Sequence, residues 1–148
     1  MATAEKKFLV KGTSLSGIQS SWECDLPGKN QQPLKLAIPP EFEGPGVGYS
    51  PEDLYALALM NCFIATFKFV AEKSRLEFQA LDAEALLTVD KGERASPWMQ
   101  KVEIHISLKG AAQPERALAL LEKTKKNCMI INSVQTEVAF HFQVAGQV

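Results

Sequence analysis

Cys62 and Cys128 occupy contrasting settings, and both settings bear on covalent chemistry. Cys62 lies inside the apolar run Asn61-Cys62-Phe63-Ile64-Ala65-Thr66-Phe67. Burial there raises a thiol's pKa, so reactivity at Cys62 needs a polar or positive partner; without one it is a small hydrophobe in a core. Cys128 follows Lys123, Lys125 and Lys126 and precedes Met129 and Ile130, where a new helical turn running to Val134 is expected. Lysine charge and helix-start amides both favour a thiolate at Cys128. A cysteine at a helix end and lysines on a solvated face account for the same residues. If the fold joins the two thiols, the product is a two-cysteine redox site.

Other chemistry has weaker support. Cys24 shares a strand face with Trp22 and is assigned to packing. His105 and His141 fall on the polar faces of their strands, and no Cys or His pair has the spacing of metal ligands, so no metal site is expected. Gly44, Gly46 and Gly48 form no dinucleotide fingerprint, because no βαβ unit surrounds them. No Ser/His/acid signature is present.

The elements that must position the thiols can be read from periodicity. Ile18, Ser20, Trp22, Cys24 and Leu26 alternate with polar residues, and Leu34, Leu36 and Ile38 suggest another short strand. A loop rich in Pro and Gly spans residues 39–48. Ser50-Pro51-Glu52-Asp53 is a strong helix start: Ser50 can cap, Pro51 suits the first helical position, and two acids complement the positive helix end. The helix is expected to reach Ser74. Its first two-thirds is apolar nearly all round, which calls for cover on several sides and hence for a homodimer. Alternation then predicts strands over Leu81–Val89 and Val102–Leu108. A second helix opens at Pro114 with Ala117, Leu118, Leu120 and Leu121 on its buried face. A last strand sets Val134, Val138, Phe140, Phe142 and Val144 on one side. Three strands, helix, two strands, helix, strand is an α+β order with a mostly antiparallel sheet.

Composition bounds the rest. A chain of 148 residues with 46% hydrophobic and 22% charged residues is expected to form one soluble domain over residues 1–148. A net charge of -1 gives no reason to expect nucleic acid or an anionic membrane as partner. The N-terminal MATAEKKFLVKG has no apolar core of signal-peptide type. The longest apolar stretch, Leu54 to Phe67, is broken by Asn61 and falls short of the roughly 20 residues of a membrane span. A cytoplasmic protein is expected. Three cysteines there are too few for a disulfide scaffold, so any bridge is catalytic rather than structural.

The segment Tyr49-Ser50-Pro51-Glu52-Asp53-Leu54-Tyr55-Ala56-Leu57-Ala58-Leu59-Met60-Asn61-Cys62-Phe63 resembles the start of the central helix in the OsmC/Ohr family of osmotically inducible and organic hydroperoxide resistance proteins. The shared pattern is Pro-Glu, an apolar run, and a Cys ten residues after the Glu, here Glu52 and Cys62. Cys128 stands where a second family cysteine follows a short helix. The resemblance implies a single OsmC-like domain with a long central buried helix, in an intertwined homodimer. It implies a cofactor-free thiol peroxidase acting on small organic hydroperoxides, alkyl or fatty-acid, in oxidative or osmotic stress defence. Cys62 would be the peroxidatic thiol, Cys128 would resolve its sulfenic acid to a disulfide, and a dithiol, low-molecular-weight or lipoyl-type, would reduce the pair. Glu52 would belong to the polar network that orients the site, and Leu57, Phe63, Phe67 and Met129 would line an alkyl pocket. Two departures stand out: the chain has no Arg before Arg75 to pair with the Glu, and Met129 stands where Pro is frequent. The missing Arg keeps open an alternative, an OsmC-fold stress protein that binds a small hydrophobic ligand with little turnover. Thiol–disulfide exchange with proteins is disfavoured, because no Cys-x-x-Cys is present. Ten residues of continuous helix would hold Glu52 and Cys62 about 15 Å apart. Either the helix breaks between them or the Glu serves the site of a partner chain.

Overall fold

The computed structural model describes residues 4–146. Eight elements follow one another: β1 (Lys11–Thr13), β2 (Trp22–Asp25), β3 (Leu34–Leu36), α1 (Pro51–Lys73), β4 (Ala80–Asp90), β5 (Trp98–Ala111), α2 (Pro114–Thr124) and β6 (Glu137–Gly146). This is the anticipated order. The chain forms two compact units, one up to Leu54 and one from Tyr55 onward, so their boundary falls in the first turn of α1.

In the first unit β1, β2 and β3 make an antiparallel meander. β2 is shorter than its alternation suggested. Gly17 adopts φ 105 and the Ser20 N–H donates to the Gly17 carbonyl at 3.1 Å, so residues 17–20 form a turn and Ile18 is left exposed. The Pro/Gly loop folds back on β3: the Tyr49 N–H donates to the Lys35 carbonyl at 2.9 Å and the Ala37 N–H to the Tyr49 carbonyl at 3.0 Å. Gly44 permits this return, because a Cβ there would lie 1.9 Å from the Ile38 carbonyl oxygen. The loop delivers Ser50 to the start of α1. There the Asp53 N–H donates to Ser50 Oγ at 3.0 Å and the Ser50 N–H donates to Asp53 Oδ2 at 2.9 Å, a reciprocal capping box.

In the second unit β5 is the middle strand, antiparallel to β4 and parallel to β6. The parallel pairing follows from the crossover through α2, since parallel neighbours cannot be joined by a tight hairpin. Three of the four strand pairings among the described residues are antiparallel, as expected for a mostly antiparallel fold. Register aligns apolar rows on one face, Ala85–Ile104–Phe140 and Ala83–Ile106–Phe142 among them. Helix α1 presents Leu59, Phe63, Phe67 and Ala71, four residues apart, to the core they share with this face. Phe63 lies 4.9 Å from Phe140 and 5.6 Å from Phe142 between ring centroids. From α2 come Ala117, Leu121 and Thr124; Leu118, expected on the buried face, is exposed.

A single chain buries one stripe of the helix and leaves Leu57 and Phe69 38% and 64% exposed, so cover on every side is not achieved within one chain. The helix is also longer than its uninterrupted apolar run. Its 23 residues, with a mean hydropathy of 1.7 over the most apolar stretch, suffice by length and composition to cross a membrane. Its buried stripe instead packs in a core shared with a β-sheet of the same chain.

Candidate active site

Cys62 sits on α1 one residue before Phe63, at the margin of the core, and is half-buried. Its Sγ accepts a hydrogen bond from the Ile130 N–H at 3.4 Å. Ile130 lies two residues beyond Cys128, so the segment after α2 brings the second cysteine to the first. That segment is a 3-10 turn at Lys125–Asn127, then Cys128 in extended conformation, then a second 3-10 turn at Ile131–Ser133. The Cys128 carbonyl accepts from the Asn132 N–H at 2.8 Å, which locks the turn.

Cys128 is fully buried, and its Sγ hydrogen-bonds the Thr124 carbonyl at 3.3 Å. Burial pushes its thiol up to about 11 from an ordinary 9.0; the adjacent Thr66 hydroxyl pulls the other way, and Cys62 adds to the upward push by charge and hydrogen bond. The expectation of a thiolate at Cys128 is therefore overturned. The lysines that precede it in sequence do not govern it: Lys125 is paired with Glu122 at 2.8 Å, and desolvation dominates. Nor does Cys128 head a regular helix whose amides would favour charge. Both thiols are free. The arrangement is asymmetric, a half-exposed sulfur held by an amide beside a buried sulfur held as a thiol.

Two participants escaped the sequence reading. Thr66 stands one helical turn after Cys62, donates to its carbonyl at 2.7 Å and touches Cys128; a lone hydroxyl in an apolar run was its only signal. The Ile130 amide carries no side-chain signature at all. Of the anticipated pocket residues, Phe63 and Phe67 are 0% exposed and belong to the core, while Leu57 and Met129 are exposed, as is Ile130. Cys24 lies in the first unit opposite Gly12, and a Cβ on Gly12 would come within 3.0 Å of its sulfur, in keeping with packing.

Glu52 lies in the first turn of α1, its Oε1 buried without a hydrogen-bond partner among the described residues. The helix runs unbroken from Pro51 to Lys73, so the rise from Glu52 to Cys62 is about 15 Å and a break between them is excluded.

Comparison with known proteins is consistent with this geometry. The family model described as OsmC-like protein matches residues 44–143, a stretch that holds Glu52, Cys62 and Cys128. The uncharacterised protein YmaD of Bacillus subtilis is 32% identical over 118 residues, covering 74% of this chain and 76% of YmaD. Among solved structures, an OsmC-like protein of unknown function from Vibrio cholerae superposes with a TM-score of 0.76 at 19% identity, over 95% of this chain and 99% of its own. An organic hydroperoxide resistance protein OsmC from Legionella pneumophila gives 0.73 at 21% identity, over 97% and 99%.

Proposed function

The chain belongs to the OsmC-like protein family, and from that premise we propose that it is a thiol-dependent peroxidase for small organic hydroperoxides. The observation that carries the reading is the Ile130 amide on Cys62 Sγ, with the buried Cys128 thiol beside it. In the proposed cycle the Cys62 thiolate attacks one peroxide oxygen. The S–O bond forms as the O–O bond breaks, and the alkoxide leaves and takes up a proton as the alcohol. The Ile130 amide keeps the attacking sulfur in place. Cys128 then attacks the Cys62 sulfenic acid: the S–S bond forms, the S–O bond breaks, and hydroxide leaves with the Cys128 proton as water. A thiol of pKa about 11 suits the second role, because it stays protonated and does not compete for peroxide. An external dithiol, low-molecular-weight or lipoyl-type, restores both thiols by exchange and leaves as its own disulfide.

Exposed Leu57, Met129 and Ile130 offer an apolar approach for the alkyl group. We read the working form as a cytoplasmic homodimer, in which a second copy covers the open side of α1. Glu52, too far along its helix to reach its own Cys62, then serves the partner's site. The alternative, ligand binding with little turnover, draws on one observation: no Arg precedes Arg75 to pair with the Glu52 carboxylate.

Consumption of cumene hydroperoxide with a lipoyl dithiol tests the proposal. Cys62→Ser is expected to lose activity entirely. Cys128→Ser is expected to consume one equivalent and stop, and mass spectrometry of peroxide-treated protein is expected to show a Cys62–Cys128 bridge. Equal turnover in wild type and Cys62→Ser would refute the peroxidase reading, and a bridge through Cys24 would refute the site.

A further inference from the structure

The outer face of the β4–β5–β6 sheet carries a second group of chemically capable side chains. Register sets Glu84 opposite His105 and His105 opposite His141. Three residues far apart in sequence thus form one row across three strands, and all three are exposed, pointing away from the core. The two imidazoles stack, with ring centroids 4.4 Å apart and planes inclined by 15°. They share a depression of about 360 Å³ with Asp82, Glu84, Ser107 and Gln143. Asp82 is ion-paired with Lys109 at 2.8 Å, whereas Glu84 makes no ion pair among the described residues.

We propose that His105 and His141 together bind one divalent late first-row transition-metal ion, of the class of Ni²⁺, Cu²⁺ and Zn²⁺ that prefers imidazole nitrogen. Two ring nitrogens each about 2.0–2.1 Å from a common ion lie about 3–3.5 Å apart. Neighbouring strands hold the two rings 4.4 Å apart between centroids, close to the separation that two nitrogens on one ion require. The Glu84 carboxylate makes the depression favourable to a cation and unfavourable to an anion. No cluster of three or more His, Cys, Asp or Glu able to hold a metal occurs among the described residues. Two nitrogens therefore hold the ion and water fills the remaining positions. Ligand spacing along the chain could not reveal such a site, because the parallel β5–β6 pairing creates it.

Ni²⁺ titrated into the full-length protein tests this, followed by calorimetry and by the histidine ring proton resonances. One binding event is expected, with selective broadening of both histidines, the only two in the chain. His105→Gln and His141→Gln are each expected to weaken it by at least about tenfold, and the double variant to abolish it while hydroperoxide consumption is unchanged. Both rings are exposed, so the variants should retain the wild-type melting temperature. An isotherm that survives in the double variant, or wild-type histidine resonances unmoved by Ni²⁺ up to millimolar concentration, would overturn the proposal. Neither result bears on the thiol chemistry, which hydroperoxide consumption reports separately.

Discussion

At the scale of single residues, Cys128 makes a stability prediction. Its thiol is raised from 9.0 to about 11, so the folded state holds this proton more tightly than the unfolded chain does. The stabilisation is complete below pH 9, falls as pH rises from 9, and is gone above 11, where the unfolded thiol has ionised and the folded one must follow. Two pKa units correspond to about 2–3 kcal/mol. Urea denaturation between pH 8 and 11 should show wild type losing about that much more than Cys128→Ala; parallel pH profiles would contradict the burial argument. The same residue shows what sequence could not convey. Type and spacing left Cys62 and Cys128 as two separate candidates, and only the family resemblance put them together. The state of Cys128 was not legible, because lysines adjacent along the chain are not thereby adjacent to its sulfur. Its environment comes from Thr66, Thr124 and Cys62, two of them on another helix.

At the scale of elements, local signals were most legible where they act locally. Ser50, Pro51 and Asp53 specify the start of α1, and the structure forms the reciprocal Ser50–Asp53 bonds. Removing the hydroxyl in Ser50→Ala should therefore cost about 1 kcal/mol. This is best measured by denaturation at fixed protein concentration, so that any change in association does not enter the comparison; an unchanged midpoint would mean the cap contributes nothing. The helix ends at Lys73, one residue short of the expected Ser74, but the way it closes was not legible. Arg75 takes φ 54, and the Leu76 N–H donates to the Ala71 carbonyl at 2.9 Å while that of Arg75 donates to Glu72 at 3.2 Å, a Schellman turn built without glycine. Leu76 is buried in the core beyond it, so tertiary packing sustains a backbone conformation that an arginine does not prefer. Strand alternation revealed β4, β5 and β6 but not that β6 runs parallel to β5. A period of two fixes which face is buried, not which neighbour a strand selects.

At the scale of the whole molecule, Glu52 and the open side of α1 pose one question. A carboxylate oxygen buried without a partner is costly, and a helix with Phe69 64% exposed leaves apolar surface in water. A second copy that covers α1 and draws Glu52 toward the opposite thiol would relieve both. This assembly can be tested by complementation. Glu52→Gln and Cys62→Ser should each be inactive as homodimers. In a mixed dimer, if each site takes its cysteine from one chain and its glutamate from the other, one site has both substitutions and the other has neither. Random exchange makes half the dimers mixed, each with one intact site, so activity should return to roughly a quarter of wild type per chain. If Glu52 instead served its own chain's Cys62, each mixed site would carry one substitution and no activity would return. Subunit exchange by co-refolding, followed by hydroperoxide consumption, separates the two outcomes, and a protein that sediments as a folded monomer at micromolar concentration would remove the basis for both.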